Sequence, residues 1–271
     1  MKRGLVLALA VATTATMAHT ADTRTAIRTF PLGTAESLGR AMFRQDAAAW
    51  VASDALQPLV ADPQTAQLRG WFVEDTPTGQ RVRFLRDDGH GLEVAYDVDV
   101  TPDRQTKVSQ PKDRTLTAEE QARYAAWVTA VSSLRDQPVC TRNFNHIVLN
   151  DPEGDGWLVW LMVPLPEMGA IPVGGHIRFT ISADGHTILR RDALSMSCLV
   201  LPKPAPPPGG QPLMAFFTHL TSPVPLETHV FLQLQSGQAL AIGAGGHVWT
   251  IIDGHVTDQG PMKPPAPELS R

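Results

Sequence analysis

Cysteine is scarce in this chain of 271 residues: only Cys140 and Cys198 are present. Neither belongs to a Cys-x-x-Cys pair or to a zinc-ligand spacing, which excludes thiolate metal clusters and thioredoxin-type chemistry. A basic surplus is missing too, since 23 Lys and Arg face 27 Asp and Glu. Nucleic acid is therefore excluded as a partner on charge grounds. Long apolar runs are absent as well: the run at residues 5–12 is far below the roughly 20 residues that a bilayer demands, so no membrane span is expected. The signatures that name an enzyme are lacking: there is no Gly-x-Ser-x-Gly, His-Glu-x-x-His, Gly-x-x-x-x-Gly-Lys or dinucleotide fingerprint. The "GAGG" at 243–246 has no following helix to make it cradle phosphate.

What is present begins with "MKRGLVLALAVATTATMAHTAD". Lys2 and Arg3 precede a short apolar run and then small residues, the plan of a secretory signal peptide. Cleavage is expected after Ala18, with His19 opening the mature chain. Arginine well above lysine, abundant alanine and very little asparagine point to a GC-rich genome, and the expected location is the bacterial periplasm or the exterior. In an oxidising compartment an even cysteine count reads as a disulfide, here Cys140 to Cys198. A loop of that length contributes at most about 4 kcal/mol in the chain-entropy account.

Periodicity sets the expected elements. Residues 34–56, "TAESLGRAMFRQDAAAWVASDAL", place Leu38, Met42, Ala49 and Trp50 against Glu36, Arg40 and Arg44, an amphipathic helix with Thr34 as its cap. "RGWFVEDT", "QRVRFLRD" and "GLEVAYDVDV" alternate apolar with polar residues and read as three antiparallel strands. A second round follows. "TAEEQARYAAWVTAVSSL" opens with Thr117 and Glu120 in capping-box spacing. "NFNHIVLN", "WLVWLMVP", "HIRFTIS" and "HTILRR" are four strand candidates, and the second, apolar on both faces, is expected to be central. "PKPAPPPGGQP" is a linker, beyond which "LMAFFTHL", "ETHVFLQLQ", "ALAIGA", "HVWTII" and "HVTDQ" read as short strands.

The expected organisation is α+β: two helices each packed on an antiparallel β-sheet, then a small C-terminal β-meander. Its segments are a signal peptide (1–18), a helix plus three strands (19–113), a helix plus four strands with the disulfide (114–201), a Pro-rich linker (202–212), the meander (213–258) and a disordered tail (259–271). A helix laid across a curved antiparallel sheet is similar in order to the cystatin-like and nuclear-transport-factor-like rolls, a likeness of fold only, and such rolls enclose a pocket.

Three clusters invite a chemical reading. Asp-Gly-His recurs at 88–90, 184–186 and 253–255, each time between apolar runs, where Asp-Gly is a hairpin signal and the histidine opens the returning strand. Asp151, Glu153, Asp155 and Gly156 follow the first half of a calcium loop, but Met162 stands where a bidentate glutamate is required and the flanks read as strands. A polar hairpin loop is the better reading. If 216–232 is a hairpin centred on Val224, His219 faces His229 and Glu227 shares the latter's face, a ligand set for zinc or iron. That register is one of several, and strand histidines are commonly satisfied by neighbours, so no metal and no cofactor is expected. The six tryptophans are assigned to core packing.

The functional expectation is an exported, noncatalytic binding or envelope-accessory protein that engages a small molecule, a peptide or another exported protein. The alternative is a periplasmic hydrolase, possible with a metal; its catalytic residues are not identifiable from sequence, because a triad is a matter of geometry.

Overall fold

The computed structural model describes residues 26–60, 62–202 and 214–263. The expected signal peptide at 1–18, all but the first residue of the expected linker and the last eight residues of the expected tail lie outside the described residues. Pro31 leads into helix α1 (Leu32–Leu56), accepting the Ala35 N–H at 2.9 Å. Thr34 is therefore inside the helix and does not cap it. The first sheet is antiparallel in the order β1 (Leu68–Thr76), β2 (Gly79–Asp87), β3 (Leu92–Val100) and β4 (Thr106–Ser109). Strand β4, "TKVS", is a short, mostly exposed edge whose single buried-side valine gives too little periodicity to register in the sequence.

Helix α2 (Ala118–Ser132) carries the expected capping box: Glu120 N–H donates to Thr117 Oγ1 at 3.2 Å, and Thr117 N–H donates to the Glu120 carboxylate at 2.6 Å. The second antiparallel sheet has the order β5 (Asn145–Asn150), β6 (Trp157–Met162), β8 (Ile177–Ile181), β9 (Ile188–Ala193). Two short strands, β7 (Ile171–Pro172) and β10 (Val200–Leu201), pair beside it. Strand β6 is buried along its whole length, as its two apolar faces foretell. Leu158, Trp160 and Met162 join one core while Trp157, Val159 and Leu161 join another. The Cys140–Cys198 disulfide is formed, with the Cα atoms 5.6 Å apart, and links the approach to β5 with the segment between β9 and β10.

The C-terminal unit departs from the expected meander. Its elements are β11 (Ala215–Thr218), α3 (Glu227–Ser236), β12 (Leu240–Ala244), β13 (His247–Ile252) and β14 (His255–Pro261). Strand β11 runs parallel to β12, and parallel neighbours need a crossover, which α3 supplies. "ETHVFLQLQ" imitates a strand because α3 is buried on nearly every side, from Glu227 to Gln233, which erases the one-sided stripe of a surface helix. Its punctuation is nevertheless helical. Glu227 lies in the first turn and Gly237 closes the helix with a left-handed φ of 66°. Strand β14 also continues through Pro261, past the point at 259 where a frayed tail was expected.

Two cores share α1. Its C-terminal half, Ala48, Ala49, Ala52 and Leu56, packs with Val73, Val82, Phe84 and Val98 of the first sheet. Its N-terminal half, Ala35, Leu38 and Met42, joins Trp160 and Met162 of β6, Val230 and Phe231 of α3 and Ile242 and Ile251 of the third sheet. Gly39 lets α1 and α3 approach closely, since a Cβ there would stand 2.5 Å from Val230 Cβ. The opposite face of the second sheet is covered by Ala126, Ala130 and Leu134 at and just beyond α2.

Candidate functional site

Each cluster singled out in the sequence has a definite place in the fold. The three Asp-Gly-His tripeptides form turns: Gly89, Gly185 and Gly254 adopt φ of 94°, 79° and 73°. Asp88 and Asp184 each accept the N–H of the following histidine at 3.0 Å. Only His255 is the first residue of its returning strand; β3 and β9 begin two residues after His90 and His186. The loop from Asp151 to Gly156 carries a cation from the protein itself. The Arg28 guanidinium donates to both Asp151 oxygens at 2.5 and 2.8 Å and to Glu153 at 2.9 Å. Arg28 lies more than a hundred residues away in sequence, so no reading of the loop alone could find it. Asp155 lines a broad polar hollow beneath α2 together with Asp184 and His186.

His219 and His229 do meet, though by a different route from the one expected. His229 sits on α3, not on a strand, and the two rings stand edge to face with centroids 4.5 Å apart. The hydrogen-bond pattern fixes their roles. His229 Nδ1 accepts the Leu226 N–H at 3.0 Å. Thr221 donates its hydroxyl to Leu194 O at 3.1 Å and Ser222 donates to Val224 O, so His219 Nε2 is the donor to both hydroxyl oxygens, at 3.1 Å each. An imidazole that donates to Ser222 does not serve as its base. Burial pushes His219 down to about 4, and burial with the neighbouring His219 and His176 holds His229 well below the ordinary histidine range. Glu227 is not their companion, because it faces Arg178. Among the described residues no group of three or more His, Cys, Asp or Glu side chains is arranged to hold a metal.

Arg178 is the centre of a buried polar row that the sequence did not announce. Trp160, Arg178 and Asp192 are cross-strand neighbours on β6, β8 and β9. Arg178 is 0% exposed and donates to Glu227 at 2.6 Å and to Asp192 at 2.9 Å, while Trp160 Nε1–H donates to the same Glu227 oxygen at 2.9 Å. Residues 26–30 cross this row: Arg28 N–H donates to Asp192 at 3.3 Å, Arg28 O accepts from Arg178, and the Phe30 ring lies 5.0 Å from the Arg178 guanidinium. This network is closed to solvent and ties the N-terminal segment, the second sheet and α3 together.

A second concavity, mostly apolar, lies under α1, where β1 and β5, edge strands of their respective sheets, approach each other. The cleft holds about 400 Å³, within the range of small-molecule sites. Gln45, Asp46, Ala49, Trp50 and Ser53 come from α1, where spacings of three and four bring them to one face. Trp71 and Val73 come from β1, Asn145, His146 and Val148 from β5, and Pro164, Leu165 and Met168 from the segment after β6. The floor is fixed by His146, whose imidazole stacks on Trp127 at 4.4 Å and leans on Trp71 at 4.8 Å. Its Nε2–H donates to Trp71 O at 3.1 Å, joining the two sheet edges through a side chain. Burial drives its pKa down to about 4, so it is neutral at physiological pH.

One acid and no Lys or Arg line this cleft. Asp46 accepts a hydrogen bond from Gln235 at 3.0 Å and has no ion-pair partner among the described residues, and burial raises its pKa above the usual aspartate value. Trp50, assigned to the core from its helical spacing, is instead 59% exposed at the rim, four residues from Asp46. Trp157, Trp160 and Trp249 are buried as expected. The sequence signal that could have found the site is the pair Asp46 and Trp50 on the apolar face of a helix otherwise rich in alanine. No known protein family matches the chain, and neither a curated protein nor a solved structure matches it.

Proposed function

We propose that this is an exported, noncatalytic binding protein of the bacterial periplasm or exterior, and that its ligand seats in the cleft between α1, β1 and β5. The disulfide and the leader-like N-terminal sequence support export. Among the described residues no helix is long and apolar enough to cross a membrane. The observation that carries the reading is the cleft itself: a mostly apolar concavity with a few polar groups, Gln45, Asp46 and Asn145, placed to orient a ligand. The rival reading, a hydrolase, has one supporting contact, His219 with Ser222, but the hydroxyl proton of Ser222 is directed to Val224 O and away from the imidazole.

The test uses N-phenyl-1-naphthylamine, a neutral apolar fluorophore that brightens on leaving water. Saturable, near-equimolar brightening is expected, and it should fall at least tenfold in affinity for Ser53→Phe, which fills the cleft. Brightening that is unaffected by Ser53→Phe, in a variant with unchanged melting temperature, would place binding elsewhere and defeat the proposal.

A further inference from the structure

Resting on that reading, we infer that the ligand is an organic cation: an ammonium group carried on an apolar or aromatic body. Charge complementarity selects it. The lining residues include the carboxylate of Asp46 and no Lys or Arg, and the one histidine, His146, spends its Nε2–H on Trp71 O. Asp46 Oδ2 is held by Gln235, which leaves Oδ1 without a partner among the described residues in a half-buried setting. A carboxylate withdrawn from water without a counter-ion is costly, and an incoming cation removes that cost.

The aromatic groups point the same way. Trp50 follows Asp46 by one helical turn and is largely exposed, and Trp71 stands across the cleft on β1. Indole faces attract ammonium groups through their quadrupole, most strongly where water is excluded. Met168, Leu165 and Pro164 form an apolar wall against which the rest of the ligand packs. An anionic ligand would meet a lone carboxylate with no compensating base. A neutral one would leave Asp46 as it is, with nothing gained from the charge.

The experiment compares two molecules of one shape, phenyltrimethylammonium and its neutral isostere tert-butylbenzene, by displacement of N-phenyl-1-naphthylamine. The cation is expected to bind at least tenfold more tightly than the isostere. Asp46→Asn, which keeps a partner for Gln235, should abolish that preference. Trp50→Leu, at an exposed rim position, should reduce the preference with the fold intact. Equal affinity for the two molecules, or binding of the fluorophore with no displacement by the cation, overturns the cation assignment while the binding reading stands. Failure of the fluorophore itself to bind overturns both.

Discussion

At the scale of single residues, Arg178 bears the largest electrostatic responsibility. It neutralises two buried carboxylates, Glu227 and Asp192, and the Glu227 Oε2 atom is buried without a hydrogen-bond partner. Arg178→Met would leave Glu227 enclosed without a cation and Asp192 with Arg190 as its one ion-pair partner, and we expect a loss of about 3–5 kcal/mol in chemical denaturation. A loss below about 1 kcal/mol would mean that solvent reaches the row. The buried histidines set the pH response. His146, His176 and His219 are depressed to about 4 in the folded state from an ordinary value near 6.5. The unfolded chain therefore takes up these protons first, so stability that is present above about pH 6.5 is lost as the pH falls toward 4. Asp46 and Glu74, raised by burial, act in the opposite sense but are two groups against four histidines, His229 being depressed as well. The urea midpoint should fall steadily from pH 7 to pH 4.5, with the folding constant reduced at least about tenfold; a flat profile would show that these rings are not held neutral. Arg28 already fills the space between Asp151 and Glu153, so millimolar calcium should leave the melting temperature unchanged.

At the scale of elements, the same dipeptide has different energetic weight in different turns. Gly89 has open space around the position of a Cβ, whereas a Cβ on Gly185 would stand 2.2 Å from Ala122 O, where the β8–β9 turn docks on α2. Thr129 Oγ1 donates to Gly185 O at 2.8 Å and fixes that contact. Gly89→Ala should cost about 1 kcal/mol of backbone strain, and Gly185→Ala about 3 kcal/mol because strain and collision add. Equal costs, measured by thermal unfolding, would mean that the turn does not dock as described. These elements also show what periodicity can and cannot reveal. The capping box of α2, the hairpins at the Asp-Gly turns and the two apolar faces of β6 were legible because each is local in sequence. Helix α3 was not, since burial on nearly all sides removed its period, and the parallel β11–β12 pairing depends on a contact that the sequence does not encode locally.

At the scale of the whole molecule, long-range contacts decide what the chain becomes. The disulfide was legible because only two cysteines exist. The Arg28 bridge to Asp151, the Arg178 row and the cleft were not, because each joins segments far apart in the chain. Helix α1 is the hinge of the arrangement: one half belongs to the core of the first sheet, the other to the core shared by β6, α3 and the third sheet, and the cleft opens beside it where β1 and β5 approach. An α+β chain with several antiparallel sheets thus places this cleft at an inter-sheet seam, across which His146 Nε2–H donates to Trp71 O. The most direct measurement of the central claim is a nitrogen–proton correlation spectrum of the labelled protein titrated with N-phenyl-1-naphthylamine. The binding account predicts saturable shifts of the Trp50 and Trp71 indole signals and of the Gln45, Asn145 and Gln235 side-chain amides, with the Trp160 and Trp249 indoles unmoved. Saturable shifts gathered instead around Gln121, Ala122 and Gly156 in the hollow beneath α2, or no saturable shift at all, would contradict it.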